Sequence, residues 1–136
     1  MSMPEIAFDQ SPGEYRPGAC NIGPAEIARR RRTGYLGLAA AALLAVVLVA
    51  VDASGTARLL VGIPLAGGAM GLLQARFRFC AGFGMAGVRN FGAVGSVERV
   101  EDRAARHADR MKAYRISLAA AAIGGVGALA FAAFPI

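Results

Sequence analysis

Residues 34–51, GYLGLAAAALLAVVLVAV, are 18 residues without a charged side chain, and four consecutive arginines at 29–32 stand directly before them. At a helical rise of ~1.5 Å per residue, about 18 to 20 such residues match the hydrocarbon thickness of a bilayer. Nine of the 18 are Leu or Val. At roughly 0.3 to 0.6 kcal/mol each, they favour insertion by about 3 to 5 kcal/mol in sum.

Two further runs repeat the signal. Residues 59–73 are apolar but short for a span. The run lengthens through Ala57 at one end and through Phe77 and Phe79 at the other if Arg76 and Arg78 snorkel to the headgroups. Residues 116–136 are 21 uncharged residues in a row. The chain is 56% hydrophobic with a mean hydropathy of +0.48, which places it with membrane proteins rather than soluble domains. The expected fold is an all-α integral membrane protein. Its three transmembrane helices lie near 34–51, 57–79 and 116–136. A cytoplasmic connection, 80–115, holds an interfacial segment and a polar helix leading into the third span.

The net charge of +6 and pI near 10.4 would by themselves suit a nucleic-acid binder or a membrane protein with sorted cations. The distribution decides. Of 15 Lys and Arg, only Arg58 falls in the turn between the first two runs. The other 14 share one side, which the positive-inside rule makes the cytoplasm. The expectation is a multi-pass protein of a bacterial inner (plasma) membrane, N-terminus cytoplasmic and C-terminus outside, with no nucleic-acid partner. Tyr35 and Tyr114 fall at the inner interface, where amphipathic rings settle. A cleaved signal peptide fits less well, because 33 residues precede the first run and the run outlasts a usual signal core. The residues after Arg31 and Arg32 do not follow a twin-arginine pattern.

Residues 1–23 read as a flexible cytoplasmic tail, since Pro4, Pro12, Pro17, Gly13, Gly18 and Gly23 break any period. Residues 24–136 then form a single three-helix membrane domain. Pro24 suits the first position of a helix, Glu26 suits its first turn, and Ile22 with Ile27 can staple the entry. Ser96 reads as the N-cap of the polar helix, with Val97, Val100, Ala104, Ala108 and Met111 as a thin apolar stripe.

Gly82, Gly84 and Gly87 match G-x-G-x-x-G. The fingerprint binds a dinucleotide only between a strand and a helix of a βαβ unit. Here an apolar helix and two arginines precede it, and no second strand with a suitable carboxylate follows. The segment reads instead as an interfacial connection. Phe77, Phe79, Phe83, Met85, Val88 and Phe91 face the headgroup boundary, and Arg76, Arg78 and Arg89, with Cys80 among them, meet lipid phosphates.

Gly67 and Gly71 form GxxxG in the second span, and Gly124 and Ala128 repeat small-residue spacing in the third. Such ridges let helix backbones approach where lipid removes the hydrophobic drive. Packing between spans two and three of one chain is preferred to a dimer face. Cys20 and Cys80 are thiol candidates; with His107 they make no zinc-like spacing, so no metal and no cofactor are expected. One histidine without a nucleophile at a defined spacing supports no enzyme. The expected function is an accessory or scaffold protein that presents a basic cytoplasmic face to a partner protein, a homo-oligomer or anionic membrane lipid. The alternatives are an inner-interface lipid or thiol site, and an oligomeric pore lined by the glycine-rich second span.

Overall fold

The computed structural model describes residues 14–135. Helix α1 (Pro24–Ala50) opens on Gly23, whose carbonyl accepts the Ile27 N–H. It closes at Asp52 in the left-handed region (φ 53), where the Ala53 and Asp52 N–H groups return to the Leu48 and Val49 carbonyls. Ser54 caps the short helix α2 (Gly55–Arg58), and a 3-10 turn, Leu59–Val61, leads into α3 (Gly62–Phe77). Together they give an apolar helical path over Gly55–Phe77. A short helix α4 (Ala81–Ala86) and the two-residue strands β1 (Val88–Arg89) and β2 (Glu98–Arg99) follow, paired antiparallel with Val88 opposite Arg99. Helix α5 (Arg103–Ala133) then runs 31 residues from the polar segment through the last apolar run without a break.

Three of these helices are long and apolar enough to cross a membrane: Pro24–Ala50, Gly55–Phe77 and Arg103–Ala133. The protein is mostly helical and reads as a small multi-span membrane protein. Its apolar helices turn large side chains outward, Ile63 at 72% exposure and Leu118 at 70%. In water such exposure would be costly; in lipid it is the required solvent contact.

Residue contacts divide the chain into two compact units. One takes in residues up to Arg30 together with Gln74–Arg115; the other is Arg31–Leu73 with Ile116–Ile136. The second, apolar unit is held by close backbone approaches. A Cβ on Gly37 would lie 2.6 Å from the Gly68 backbone, and one on Gly68 would lie 2.8 Å from the Leu38 nitrogen, so α1 and α3 touch main chain to main chain. On the other side of α3, a Cβ on Gly124 of α5 would lie 2.6 Å from Ala66 Cβ, and one on Gly62 would lie 2.9 Å from Ala128 Cβ. Ala41, Val61 and Ala128 form the buried centre, flanked by Ala45, Leu65 and Phe131. Arg58, 5% exposed, donates to the carbonyls of Ala53 (3.2 Å) and Phe134 (3.4 Å) and lies over the Phe131 ring. It ties the turn after α1 to the C-terminal end of α5, satisfying carbonyls that the helix ends leave open.

Three expectations need correction. Residues 14–23 are not a coreless tail: Cys20, Asn21, Ile22 and Gly23 are buried, and Ile22 bridges Asn90 in parallel fashion. Residues 1–13, the rest of that expected tail, lie outside the described residues. The second span does not extend to residue 79. Arg78 adopts a left-handed backbone (φ 54), the Phe79 N–H returns to the Gln74 carbonyl at 3.0 Å, and the chain turns away. Phe79 is then fully buried instead of reaching for lipid. The polar helix starts at Arg103 rather than at Ser96, because Asp102 supplies its cap, accepting the Ala105 N–H at 2.8 Å, while Glu98 and Arg99 pair as a strand.

Candidate functional site

The first unit is organised around polar side chains that point inward. The chain's two asparagines bind opposite parts of it. Asn21 accepts the Cys80 N–H at 2.7 Å and donates to the Cys80 carbonyl at 3.2 Å, so one side chain completes both backbone bonds of that residue. Asn90 donates to Glu26 Oε2 (2.7 Å) and the Ala93 carbonyl (2.8 Å) and accepts from Gly92 N–H (2.9 Å). Backbone bonds from Asn90 N–H to the Asn21 carbonyl and from Gly23 N–H to the Asn90 carbonyl join the two. Buried polar groups are tolerated at such a position only because nearly every donor and acceptor is matched.

Glu26 sits in the first turn of α1, where the helix dipole favours a carboxylate, and is 1% exposed. Besides Asn90 it binds Arg30 one turn on, and Gly95 N–H approaches its Oε2 at 3.4 Å. Arg30 in turn donates to Cys80 Sγ at 2.8 Å and lies 5.2 Å over the Phe83 ring. Ile22, Ile27, Ala75 and Cys80 close around this pair as an apolar cluster, with Phe83 against it. The expected staple of Ile22 and Ile27 is therefore part of a core.

A second inward carboxylate, Asp109 of α5, is fully buried. It accepts from the Tyr15 hydroxyl (2.6 Å) and from the Gly18 N–H (2.7 Å), which straps residues 15–18 to the helix. Burial, then the bond to Asp109, pushes the Tyr15 phenol well above its ordinary value. Arg89 lies 5.0 Å over the Tyr15 ring and meets Glu98 at 3.4 Å.

The glycine motif finds its role here. Gly84 lies where a Cβ would come within 2.8 Å of both the Asp109 carbonyl and the Phe79 ring, and Gly87 (φ 77) ends α4 in the left-handed region. These glycines let α4 lie flat on α5; they belong to packing and turn geometry.

The structure distributes the other candidates as follows. Arg76 and Arg78 are exposed, and Phe77 beside them lies under the Lys112 ammonium at 4.5 Å. Cys80 and Cys20 are both buried and free, and burial pushes the Cys20 thiol above its usual range. Of the expected headgroup-facing aromatics, Phe79 and Phe83 turn inward. Gly124 and Ala128 meet α3 of their own chain, Gly71 is buried, and Gly67 faces open space. Among the described residues no three His, Cys, Asp or Glu side chains gather in a way that would hold a metal. His107 is exposed on α5. Asn21, Asn90 and Asp109 escape sequence reasoning, since nothing local marks their distant partners; only their apolar neighbours Ile22, Phe91 and Ala105 give a faint signal.

No protein-family model matches the chain, and no match was found among curated proteins or solved structures. What the protein does must therefore be argued from this geometry.

The Asp109 strap carries a direct prediction. In Asp109→Ala, Tyr15 and Gly18 lose their acceptor, a loss of roughly 1 to 3 kcal/mol of local stability for partly buried donors left unpaired. Cys20, 2% exposed, will then become reactive. Maleimide labelling mapped by peptide mass spectrometry will show Cys20 modified at least tenfold faster, on the order expected from that loss. Equal rates in the two proteins would mean the strap is held elsewhere.

Proposed function

We propose that the chain is a non-catalytic, membrane-anchored accessory protein. It holds a preformed basic surface on the cytoplasmic side of a bacterial inner membrane, for a partner protein or for anionic lipid headgroups. The observation that carries this reading is the sorting of charge by burial. Glu26 and Asp109 are consumed inside the first unit, while Arg29, Arg76, Arg78, Arg99, Arg110 and Arg115 are exposed. Arg30 is drawn in with them, so the first unit buries two carboxylates against one guanidinium and its surface is slightly more basic than its composition, resting on a largely matched internal lattice. The cytoplasmic placement rests on the cation distribution along the sequence. Arg76, Arg78 and Arg115 adjoin the apolar runs, within reach of lipid phosphates, where each is worth about 1 kcal/mol.

Purification in mild detergent followed by native mass spectrometry tests this. The expected result is retained phosphatidylglycerol or cardiolipin, a stoichiometric partner protein, or both. Arg76→Gln/Arg78→Gln/Arg115→Gln should reduce the lipid share. A lipid-free monomer that crosslinks to nothing in intact membranes would remove the proposal.

A further inference from the structure

The first turns of α5 carry Arg103, Arg106, His107 and Arg110, spaced i, i+3, i+4 and i+7 along one helical face. With Ala104 they line an open groove of about 800 Å³. The inward side of the same turns is occupied by Ala105 and Asp109, both buried, so the outward side chains have no route to the Asp109 carboxylate. Arg106 is fixed: its Nη1 donates to the carbonyls of Val100 (2.9 Å) and Glu101 (2.8 Å). Arg103, His107 and Arg110 stand exposed around that fixed guanidinium.

Position along the helix separates this face from the lipid-facing arginines. The apolar run begins at Ile116. At ~1.5 Å per residue, Arg110 lies about 9 Å and Arg103 about 20 Å before it. Headgroups extend only about 5 to 8 Å beyond the hydrocarbon. A tilt of even ~40° leaves Arg103 roughly 15 Å away. Lys112 and Arg115 are placed for lipid, and Arg110, roughly 7 Å out at that tilt, reaches the headgroup edge; Arg103, Arg106 and His107 stand in water.

We infer that this face is a docking site for an acidic segment of a partner protein, a helix or extended stretch carrying carboxylates at matching three- and four-residue spacing. The inference rests on the accessory-protein reading above and names the chemistry of its partner. Charge complementarity favours a short acidic segment over a nucleic acid. The cationic stretch is only two turns, ~10 Å long, and is bounded at its N-terminal end by exposed Glu98, Glu101 and Asp102. A nucleic acid spaces phosphates evenly and far beyond that length, so its continuing backbone would meet those carboxylates. Glutamates one turn apart place their charges over the cations and nowhere else.

The test uses the full chain in phosphatidylcholine nanodiscs. Its probe is a fluorescein-labelled helical peptide with glutamates at i, i+3, i+4 and i+7. Fluorescence anisotropy should show saturable binding that weakens as salt rises and is absent for the glutamine version of the peptide. Arg103→Gln/His107→Gln/Arg110→Gln should weaken affinity about tenfold, the scale of two exposed ion pairs and one hydrogen bond. Arg106 is left in place because it holds the Val100 and Glu101 carbonyls. The control Arg16→Gln/Arg31→Gln/Arg32→Gln removes three exposed cations elsewhere and should leave affinity unchanged. If the triple variant loses its circular dichroism, the single variants Arg103→Gln and Arg110→Gln replace it, each expected to weaken binding about twofold to threefold. Four results would each overturn the inference: no peptide binding, equal losses in variant and control, tighter binding of a single-stranded oligonucleotide, or binding that requires phosphatidylglycerol in the disc. A partner recovered from membranes while the peptide fails would leave the accessory-protein reading standing and remove only this site.

Discussion

Gly68→Val will strongly destabilise the packing of the apolar helices. A side chain at residue 68 would enter a space bounded by the Leu38 nitrogen at 2.8 Å, the Leu38 side chain at 2.9 Å and the Gly34 carbonyl at 3.0 Å. Two of those three neighbours are backbone atoms, which cannot rotate aside. Relief requires α1 and α3 to separate, and separation also breaks the close approach at Gly37, where a Cβ would lie 2.6 Å from the Gly68 backbone. Overpacking costs about 1 to 3 kcal/mol in forgiving cores and more where backbone blocks the way. Close approach is also what drives helices together in lipid, so the same change removes attraction as it adds repulsion. Thermal unfolding in detergent, followed by circular dichroism, should show a midpoint at least roughly 5 °C lower, on the scale of a loss of 1 to 2 kcal/mol. Gly67→Val is the matched control. It lies one residue away in the same helix, with nothing near its Cβ position, and should shift the midpoint by little. Equal shifts in the two variants would mean that helix propensity, not contact with α1, sets the cost.

That contrast shows which features a linear chain exposes. The three apolar helices are legible because the bilayer imposes a length and a composition that few other environments demand. Small-residue packing between spans two and three is legible in kind, since Gly124 and Ala128 stand four residues apart. The partners are less so. Gly37 and Gly68 meet across two helices, and Gly34 with Gly37 carries three-residue spacing that a GxxxG search passes over. The polar unit is hidden more thoroughly. Asn21 lies in a proline-spotted stretch and Asn90 in a glycine-rich one; each looks like a turn residue until the other is beside it. Asp109 looks like one more surface charge on a polar helix, because nothing near it in sequence announces Tyr15. Hydrophobic patterning reports exposure to lipid or core, and hydrogen-bond partners far apart in sequence leave no period to read.

The internal lattice of the polar unit should fail through Glu26. Glu26→Ala removes an acceptor that Asn90, Arg30 and Gly95 share, and leaves a mostly buried guanidinium with only the residue-26 carbonyl at 3.5 Å, Cys80 Sγ and the Phe83 ring around it. Breaking a buried ion pair from one side costs about 3 to 5 kcal/mol, since the remaining charge keeps its desolvation penalty and loses its compensation. The Arg30 side chain retains 11% exposure, which admits some water and points to the lower end of that range. Glu26→Gln keeps the shape and one acceptor and should cost roughly 1 to 2 kcal/mol, the scale of one buried hydrogen bond lost. The decisive variant is Glu26→Ala combined with Arg30→Met. If an orphaned charge is the cause, removing it returns part of the stability, and the double variant will unfold later than Glu26→Ala alone. Hydrogen exchange should report the same order, with the Gly23, Gly92 and Gly95 amides opening fastest in Glu26→Ala because each bonds to Asn90 or Glu26 itself. Strict additivity of the two substitutions would show that Glu26 acts on Asn90 and the 90–95 loop without help from Arg30, and the carboxylate would then be a loop anchor, not one half of a buried pair.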